Sequence, residues 1–227
     1  PTCLVEIPLA TLTVSFPGLS DAHSYVHKAD GVSGTYGAQD SSSTWKANSA
    51  TFTLLRALYD VRVVHGPTTV VLDSIDCTSG TCFAAAPMAS LTVMFPGLTD
   101  AHTYVHATDG AAGTYGAQDS SSTWRSNQAT FTLLQAVYDA RIVHGPAMTV
   151  LDGIDCRSAE CKAEVPLAAL TVSFPGKASI HTYVRMDDAR TASASGGAVS
   201  SATWRTNSAK FVLLRGMYDV VMREGAT

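Results

Sequence analysis

The stretch ATFTLLRALYDVRV, residues 50–63, decides the fold of this chain. Apolar and polar side chains alternate in residues 50–54, and they alternate again in residues 59–63, where Tyr59, Val61 and Val63 share one face. Alternation with a period of two is typical of a β-strand that buries one face. Since only a few residues separate the two halves, the stretch predicts two strands joined by a tight connection, and not a helix.

This stretch belongs to a repeat that occurs three times. The motif Phe-Pro-Gly at residues 16–18 returns at residues 95–97 and 174–176, in two steps of 79 residues. The repeat also carries one tryptophan, which is Trp45, Trp124 and Trp204 in the three copies. Solenoid repeats have periods of about 20–50 residues, so the longer period here is that of a small domain. We therefore predict three domains, at residues 1–77, 78–156 and 157–227.

The rest of the first repeat predicts further short strands. We place them at residues 12–16, 22–27 and 69–75, with shorter ones at 35–36 and 44–45 on either side of a polar run at 39–43. Pro17-Gly18 and Gly66-Pro67 are turn signals between strands. About seven short strands with a turn every ~8–12 residues are typical of a β-sandwich. The predicted fold class is all-β, as three tandem immunoglobulin-like (Ig-like) sandwiches.

Cysteine pairs follow the last predicted strand of the first two repeats. Cys77 and Cys82 flank the loop Thr-Ser-Gly-Thr, and Cys156 and Cys161 flank Arg-Ser-Ala-Glu. We predict a disulfide in each pair rather than a zinc site, because zinc usually takes four ligands and each loop offers two. Disulfides indicate an oxidising, extracellular compartment. At this place in the chain they are expected to stiffen the joint between repeats.

The two ends of the chain do not match a whole repeat. Cys3 aligns with the second cysteine of each pair, and we predict that it is unpaired or bonds to another chain. Cys156 follows Gly145 by 11 residues, whereas 2 residues follow Gly225, so the third repeat is expected to lack its last strand. Three interpretations stay open: a piece of a longer array, a degenerate natural cap, or a third repeat that takes a strand from another molecule by β-strand addition.

Residues 51–61 (TFTLLRALYDV) and 211–220 (FVLLRGMYDV) resemble the ATF-LLPG-TYDV stretch of prealbumin-like (Cna-B-type) β-sandwich repeats in bacterial surface proteins. Gly216 keeps the glycine of that turn, whereas Ala57 and Ala136 depart from it and no copy has the proline. The resemblance covers the second half of each repeat well and the first half poorly. It implies a prealbumin-like sandwich in a cell-surface stalk, adhesin or fibre. It supplies no catalytic residues, and the lysines do not recur in the way that a Lys–Asn isopeptide bond would need.

A motif of histidine and tyrosine is the sharpest polar signal, and its alternation places it on one face of a strand. Its members are His23, Tyr25 and His27 in the first repeat, His102, Tyr104 and His106 in the second, and His181 and Tyr183 in the third. In a strand, residues four apart lie roughly 13 Å apart at about 3.3 Å per residue, too far for both histidines to bind one ion. We predict no metal site there, and we interpret this face as a candidate contact surface for another subunit.

Composition excludes several classes of function. The net charge is −4 and no block of Lys or Arg occurs, so the basic surface of a nucleic-acid binder is absent. No apolar run approaches the ~18 residues of a membrane-spanning helix, and no Gly-x-Ser-x-Gly motif or other catalytic set is present. We predict an extracellular structural protein without a cofactor and not an enzyme: a spacer, stalk or filament subunit that contacts copies of itself or neighbouring repeats. The alternative is a carbohydrate-binding or adhesive surface module that binds surface glycans.

Overall fold

A computed structural model describes residues 6–32, 39–45, 48–98, 100–108, 118–124, 127–177, 180–186, 198–204 and 207–224. Side chains are described in these ranges except in 39–45, 118–124 and 198–204 and at residue 186. Cys3 and the short strand predicted at residues 35–36 lie outside the described residues. Every regular element in the described part of the chain is a β-strand, so the predicted all-β fold class is confirmed.

The first repeat consists of seven strands. They are β1 (Leu9–Ser15), β2 (Ala22–Lys28), β3 (Gln39–Trp45), β4 (Ser49–Leu55), β5 (Leu58–His65), β6 (Thr68–Asp76) and β7 (Thr81–Ala85). They form a three-stranded sheet in the order β4-β1-β7 and a four-stranded sheet in the order β3-β2-β5-β6. Antibody constant domains divide their strands differently, so "Ig-like" describes the two-sheet architecture here and not the strand order.

The second repeat has the same strands in the same order. They are β8 (Met88–Met94), β9 (Ala101–Ala107), β10 (Gln118–Trp124), β11 (Gln128–Leu134), β12 (Val137–His144), β13 (Ala147–Asp155) and β14 (Glu160–Glu164). Its sheets are β11-β8-β14 and β10-β9-β12-β13. The repeated sequence therefore gives the same strand pairing twice.

The third repeat has five strands within the described residues. They are β15 (Leu167–Ser173), β16 (Ile180–Met186), β17 (Ala198–Trp204), β18 (Ser208–Leu214) and β19 (Tyr218–Glu224). They form the sheets β15-β18 and β17-β16-β19. In the first repeat, β1 pairs with β7 and β5 pairs with β6. In the described part of the third repeat, the equivalent strands β15 and β19 lack these neighbours.

The alternating pattern that predicted the strands also accounts for the core. In β4 the side chains of Ala50, Phe52 and Leu54 are buried, and in β5 those of Tyr59, Val61 and Val63. Because β4 and β5 belong to different sheets, the residues Arg56 and Ala57 between them turn the chain from one sheet to the other. The predicted tight connection is confirmed, but it joins the two sheets of the sandwich and is not the turn of a hairpin.

Two details of the predicted strands are wrong. The polar run at residues 39–43 is not a connection, because β3 covers Gln39–Trp45 and pairs with β2. Residues 81–85 were placed with the second repeat, but β7 pairs in parallel with β1 and so completes a sheet of the first repeat. β14 pairs with β8 in the same way. The strand pairing therefore puts the ends of the repeats several residues beyond positions 77 and 156.

Candidate functional site

The junction between successive repeats is formed around one leucine at the end of a strand. Leu134 closes β11 and is 0% exposed, and Leu214 closes β18 and is 1% exposed, whereas the equivalent Leu55 of β4 is 58% exposed. Leu134 packs into the buried cluster of the first repeat, although its own strand belongs to the second. Leu214 belongs to a cluster that runs continuously through the second and third repeats. Each following repeat therefore inserts this leucine against the repeat before it.

The Phe-Pro-Gly turn of the preceding repeat forms the other half of the junction. A methyl group placed on Gly18 would lie 2.9 Å from Cγ2 of Thr132, and one on Gly97 would lie 3.1 Å from Cγ2 of Val212. Thr132 and Val212 are equivalent residues of β11 and β18. At Gly176, the same turn in the third repeat, no atom of the described residues lies within 4 Å of such a methyl group. The turn thus lies so close to the next repeat that a side chain at Gly18 or Gly97 would require the facing side chain, Thr132 or Val212, to shift.

Hydrogen bonds hold the leucine end of each repeat in the same shape. The backbone N–H after Leu55, Leu134 and Leu214 donates to the carbonyl oxygen of a proline, in the pairs Arg56–Pro8, Gln135–Pro87 and Arg215–Pro166. The side chain of the same donor residue bonds the carbonyl oxygen one residue further on, at Leu9, Met88 and Leu167. The end of the repeat that carries this leucine therefore has the same hydrogen-bonded shape in all three repeats, including the first.

Both predicted disulfides are formed, Cys77–Cys82 and Cys156–Cys161, with Cα atoms 5.0 and 5.2 Å apart. All four cysteines are buried. Each bond joins the end of a strand in the four-stranded sheet to a strand in the three-stranded sheet of the same repeat. The expectation that each disulfide holds two repeats together is wrong, because β7 belongs to the first repeat and β14 belongs to the second. The disulfide instead fixes the crossing between the two sheets.

The polar loop inside the second disulfide is ordered by one carboxylate. Asp155 accepts hydrogen bonds from the backbone N–H of Arg157 at 3.1 Å and from its guanidinium Nε at 2.9 Å and Nη2 at 2.7 Å. These bonds lower the pKa of Asp155 to about 2. In the first repeat Asp76 accepts from Thr78 instead, and the same cause lowers its pKa. Both pairs, Asp155 with Arg157 and Asp76 with Thr78, are visible in the sequence, because the two residues of each pair lie only two positions apart.

A histidine, a tyrosine and an arginine form a stacked group on the outer face of the larger sheet. The rings of His23 and Tyr25 are 6.3 Å apart and nearly parallel, and Cζ of Arg62 lies 4.2 Å from the centre of the tyrosine ring. His102, Tyr104 and Arg141 repeat this arrangement in the second repeat. The arginine was not predicted, because it comes from β5 or β12 and meets the tyrosine only through strand pairing.

The third repeat builds the same group from a different position. Val221 stands where Arg62 and Arg141 stand, and Arg223, two residues later on β19, lies 5.7 Å from the ring centre of Tyr183. The rings of His181 and Tyr183 stack as in the other repeats. A cation over the tyrosine is thus present three times, although the sequence position that supplies it changes.

The predicted contact surface is smaller than the motif indicated. His27 and His106 are each 2% exposed, so they are buried and not available to a partner. His23 and His102 are exposed, and Tyr25 and Tyr104 are half-buried. In the described part of the chain no cluster of three or more His, Cys, Asp or Glu side chains can hold a metal ion. The accessible surface therefore consists of the outer histidine, the tyrosine and the arginine.

Two buried carboxylates were missed by sequence reasoning. Asp60 accepts a hydrogen bond of 2.8 Å from the backbone N–H of Ser74, and Asp139 accepts one of 2.7 Å from Gly153. Ser74 and Gly153 have φ angles of 56° and 68°. Their strands shift register beside the carboxylates. The recurrence of Tyr-Asp in the sequence was the available signal, but the partner lies on a different strand.

Comparisons with known proteins add little to this geometry. No protein-family model matches the chain, and no curated protein matches it. Among solved structures the chain is similar to the Bacillus anthracis TIE protein, with 12% sequence identity and a TM-score of 0.25. The match covers 96% of this chain and 46% of that one, so the chain spans about half the length of the TIE protein. The described residues contain no helix of the length and hydropathy that a membrane crossing requires.

Proposed function

We propose that this chain is an extracellular, non-catalytic structural repeat protein, a spacer, stalk or filament subunit of the cell surface. The observation that carries the proposal is the junction, which is formed twice by equivalent residues. Leu134 and Leu214 are buried against the preceding repeat, and Gly18 and Gly97 contact Thr132 and Val212. A junction that recurs in register sets the same displacement from each repeat to the next. That property is what a spacer needs and a catalyst does not.

The proposed location rests on the disulfides. Cys77–Cys82 and Cys156–Cys161 are closed pairs buried in the sandwich. Disulfides of this structural kind persist in secreted and surface proteins and are rare in reducing compartments. The repeats themselves, the disulfides and the resemblance of residues 51–61 to bacterial surface repeats agree with a secreted protein.

Small-angle X-ray scattering on glycine variants tests the spacer. Gly97→Ala puts a methyl group against Val212, whereas Gly176→Ala introduces the same strain at positive φ with no neighbour within 4 Å. We expect wild type and Gly176→Ala to share one distance distribution, and Gly18→Ala/Gly97→Ala to show a broader one. Circular dichroism establishes that all variants stay folded. The proposal fails if the scattering of wild type can be fitted only by an ensemble with many unrelated inter-repeat angles. It also fails if the double variant scatters like Gly176→Ala.

The finer proposal is that the third repeat accepts strands from another molecule. Val220 and Met222 of β19 are 38% and 51% exposed, whereas the equivalent Val61, Val63, Ala140 and Ile142 are all 0% exposed. In the first two repeats β6 or β13 pairs beside these positions and β7 or β14 beside β1 or β8. Unpaired strand edges with apolar side chains favour β-strand addition. The described third repeat thus offers the surface that such a segment would cover.

A synthetic peptide tests strand addition directly. Residues 147–164 contain β13, the disulfide loop and β14, the two strands that complete the second repeat. We expect this peptide, in oxidised form, to shift the NMR signals of β15 and β19 and leave those of β1 and β5 unchanged. A peptide of the same composition in scrambled order is the control. No shift, or equal shifts with the scrambled peptide, rejects strand addition.

A second candidate function is carbohydrate binding by the outer face. The observation in its favour is the threefold group of histidine, tyrosine and arginine, centred on Tyr25, Tyr104 and Tyr183. A glycan array separates the candidates, because three equivalent sites on one chain would give multivalent avidity. Binding that is lost when the three tyrosines are replaced by alanine supports the module, and absence of binding supports the spacer.

A further inference from the structure

The tyrosines of the outer face are not open platforms for a sugar ring. Cζ of Arg62 lies 4.2 Å above the ring centre of Tyr25. The equivalent distance between Arg141 and Tyr104 is 4.4 Å. Because carbon atoms touch at about 3.5–4.0 Å, no sugar fits between a guanidinium and the ring beneath it. The histidine ring that stacks 6.3 Å from that of Tyr25 is close enough to interact with it directly. Neutral sugars that stack on bare aromatic rings are therefore poor candidates for this face.

Each of these groups presents positive charge at the surface. Arg62 and Arg141 are half-buried and Arg223 is exposed. His23 and His102 are exposed on the same face. A guanidinium is a permanent cation with five N–H donors, and their fork-like arrangement matches the two oxygens of a carboxylate. A histidine carries an N–H donor in either of its protonation states. A group of this composition suits an anionic oxygen better than a hydroxyl.

The strand pairing keeps the described acidic side chains of these strands away from the arginines. Asp60, two residues before Arg62 on β5, is buried and hydrogen-bonded to a backbone amide. The residue opposite Arg62 on β6 is Val71, and Val150 has the same place in the second repeat. Asp73 is exposed, but it lies at the register shift beside Asp60. Across the strand pair each arginine meets a valine, so positive charge predominates at this position of the face.

The third repeat keeps the cation although its position in the sequence changes. Val221 occupies the place of Arg62, yet Arg223 lies 5.7 Å from the ring centre of Tyr183. The same face also carries Arg185 where the first two repeats have a buried histidine. Packing alone gives little reason for this, since a cation over an exposed ring contributes only about 0.5–1 kcal/mol. A charged ligand that contacts every repeat explains why the cation recurs.

We propose that the outer face binds the carboxylate groups of a linear acidic polysaccharide, with one carboxylate at the arginine of each repeat. The inference rests on the second candidate function and names its ligand. A polymer with charges along its length fits groups that recur once per repeat, because weak contacts add up through avidity. A nucleic acid fits less well, because the net charge is −4 and no block of Lys or Arg is present to neutralise its closely spaced phosphates.

Isothermal titration calorimetry of the full chain with polygalacturonate, a polymer of uronic acids, tests the proposal. Carboxyl-reduced polygalacturonate is the matched ligand control, since alcohols replace its carboxylates on the same backbone. We expect wild type to bind the acidic polymer and not the reduced one. The affinity should fall as salt screens the charges. Polyphosphate shows whether any polyanion suffices, and we expect it to bind more weakly than polygalacturonate.

A triple variant locates the site on the outer face. Arg62→Gln/Arg141→Gln/Arg223→Gln removes the cation over each tyrosine and leaves the rings in place. We expect it to lower the affinity for polygalacturonate by about 100-fold or more, as the loss of a multivalent contact does. Thermal melts establish that the variant is folded.

The matched control removes three positive charges that lie away from the outer face, in Arg56→Gln/Lys162→Gln/Arg215→Gln. Glutamine is native at one of these positions, since Gln135 makes in the second repeat the hydrogen bond that Arg56 and Arg215 make in theirs. Lys162 is exposed on β14, in the other sheet. This variant should bind as wild type does.

NMR of wild type gives a readout that needs no variant. We expect the side-chain Nε–Hε signals of Arg62 and Arg141 to shift during titration with polygalacturonate, and that of Arg157 to stay fixed. Four results overturn the proposal: no binding of polygalacturonate, equal affinity for the reduced polymer or for polyphosphate, equal affinity of the two triple variants, or fixed signals of Arg62 and Arg141. Binding of neutral glycans alone rejects this ligand but leaves carbohydrate binding in place. None of these results bears on the scattering that tests the spacer.

Discussion

The buried carboxylate of Asp139 accepts a 2.7 Å hydrogen bond from the backbone N–H of Gly153, on the neighbouring strand. Gly153 has a φ of 68°, and the pairing of β12 with β13 shifts register at this place. In the first repeat Asp60 bonds Ser74 in the same way, although serine rarely adopts such a φ. The carboxylate thus takes the place of the strand-to-strand hydrogen bond that the irregularity removes.

We expect Asp139→Ala to destabilise the second repeat by about 1–3 kcal/mol, because it removes the hydrogen bond between the buried Asp139 carboxyl group and the Gly153 amide. Hydrogen exchange of the Gly153 amide should accelerate, and the thermal midpoint should fall. Asp219→Ala is the matched control, since Asp219 is the equivalent residue of the third repeat and is exposed. It should change stability by less than about 0.5 kcal/mol. Equal effects of the two substitutions would contradict this role.

The tyrosine hydroxyl beside each docking leucine gives a second prediction. Tyr138 Oη donates a hydrogen bond of 2.7 Å to the carbonyl oxygen of Leu134, four residues earlier. We expect Tyr138→Phe to cost about 1–2 kcal/mol, because it leaves a buried carbonyl oxygen without this donor. Urea denaturation followed by circular dichroism measures the change. The hydroxyl of half-buried Tyr104 is the comparison, and its removal should cost clearly less; the reverse order would reject the argument.

Truncation of the equivalent leucines Leu134 and Leu55 compares a buried position with an exposed one in the same sequence context. Leu134→Ala removes a fully buried side chain and should cost about 2–5 kcal/mol. Leu55→Ala removes an exposed one and should cost less than about 0.5 kcal/mol in dilute solution. Thermal unfolding of both variants at low protein concentration measures the difference. Similar losses from both would show that the junction does not stabilise the repeats.

Acid should weaken the second repeat through His144. Burial lowers the pKa of His144 below 6.5, with Asp100 acting in the opposite direction. Since the folded state binds the proton less readily than the unfolded chain, this contribution to stability is complete above pH 6.5 and is lost as the pH falls below it. His144→Phe should reduce the dependence of the thermal midpoint on pH between 6.5 and 5. An unchanged slope in the variant would contradict the assignment.

The loop of the second disulfide allows a local test of its ion pair. Arg157→Ala removes the guanidinium that holds the pKa of Asp155 at about 2. We expect the pKa of Asp155 to rise toward its ordinary value of 3.8. An NMR titration of the carboxyl carbon measures it. Ser158→Ala, which leaves the pair intact, is the control, and a pKa that stays near 2 in Arg157→Ala would mean that the backbone bond alone suffices.

Local pattern was enough to predict most of the fold. Alternation placed β4 and β5 correctly, and the short cysteine spacing was enough to predict both disulfides. β3 was missed because Gln39–Trp45 is rich in serine, a residue that turns favour as well. β7 was missed because it pairs in parallel with β1, about 70 residues earlier, and no local signal reports a pairing that distant.

The junction and the accessible part of the outer face could not be predicted from the pattern within one repeat. Leu54-Leu55 and Leu133-Leu134 read alike in sequence, yet Leu55 is exposed and Leu134 is buried, because Leu134 packs into the core cluster of the repeat before it. His27 belongs by alternation to the same face as His23, but its surroundings bury it. Such differences arise from contacts between distant segments, and periodicity along a strand does not encode them.

The parallel pairing of β1 with β7 has a mechanical consequence. The chain enters the first repeat through β1 and leaves it through β7, and the two strands are hydrogen-bonded side by side from Thr11–Thr81 to Ser15–Ala85. Tension on the two ends pulls these strands in opposite directions along their length, so their hydrogen bonds bear the load in shear, all at once, and do not open one after another. β8 and β14 give the second repeat the same clamp.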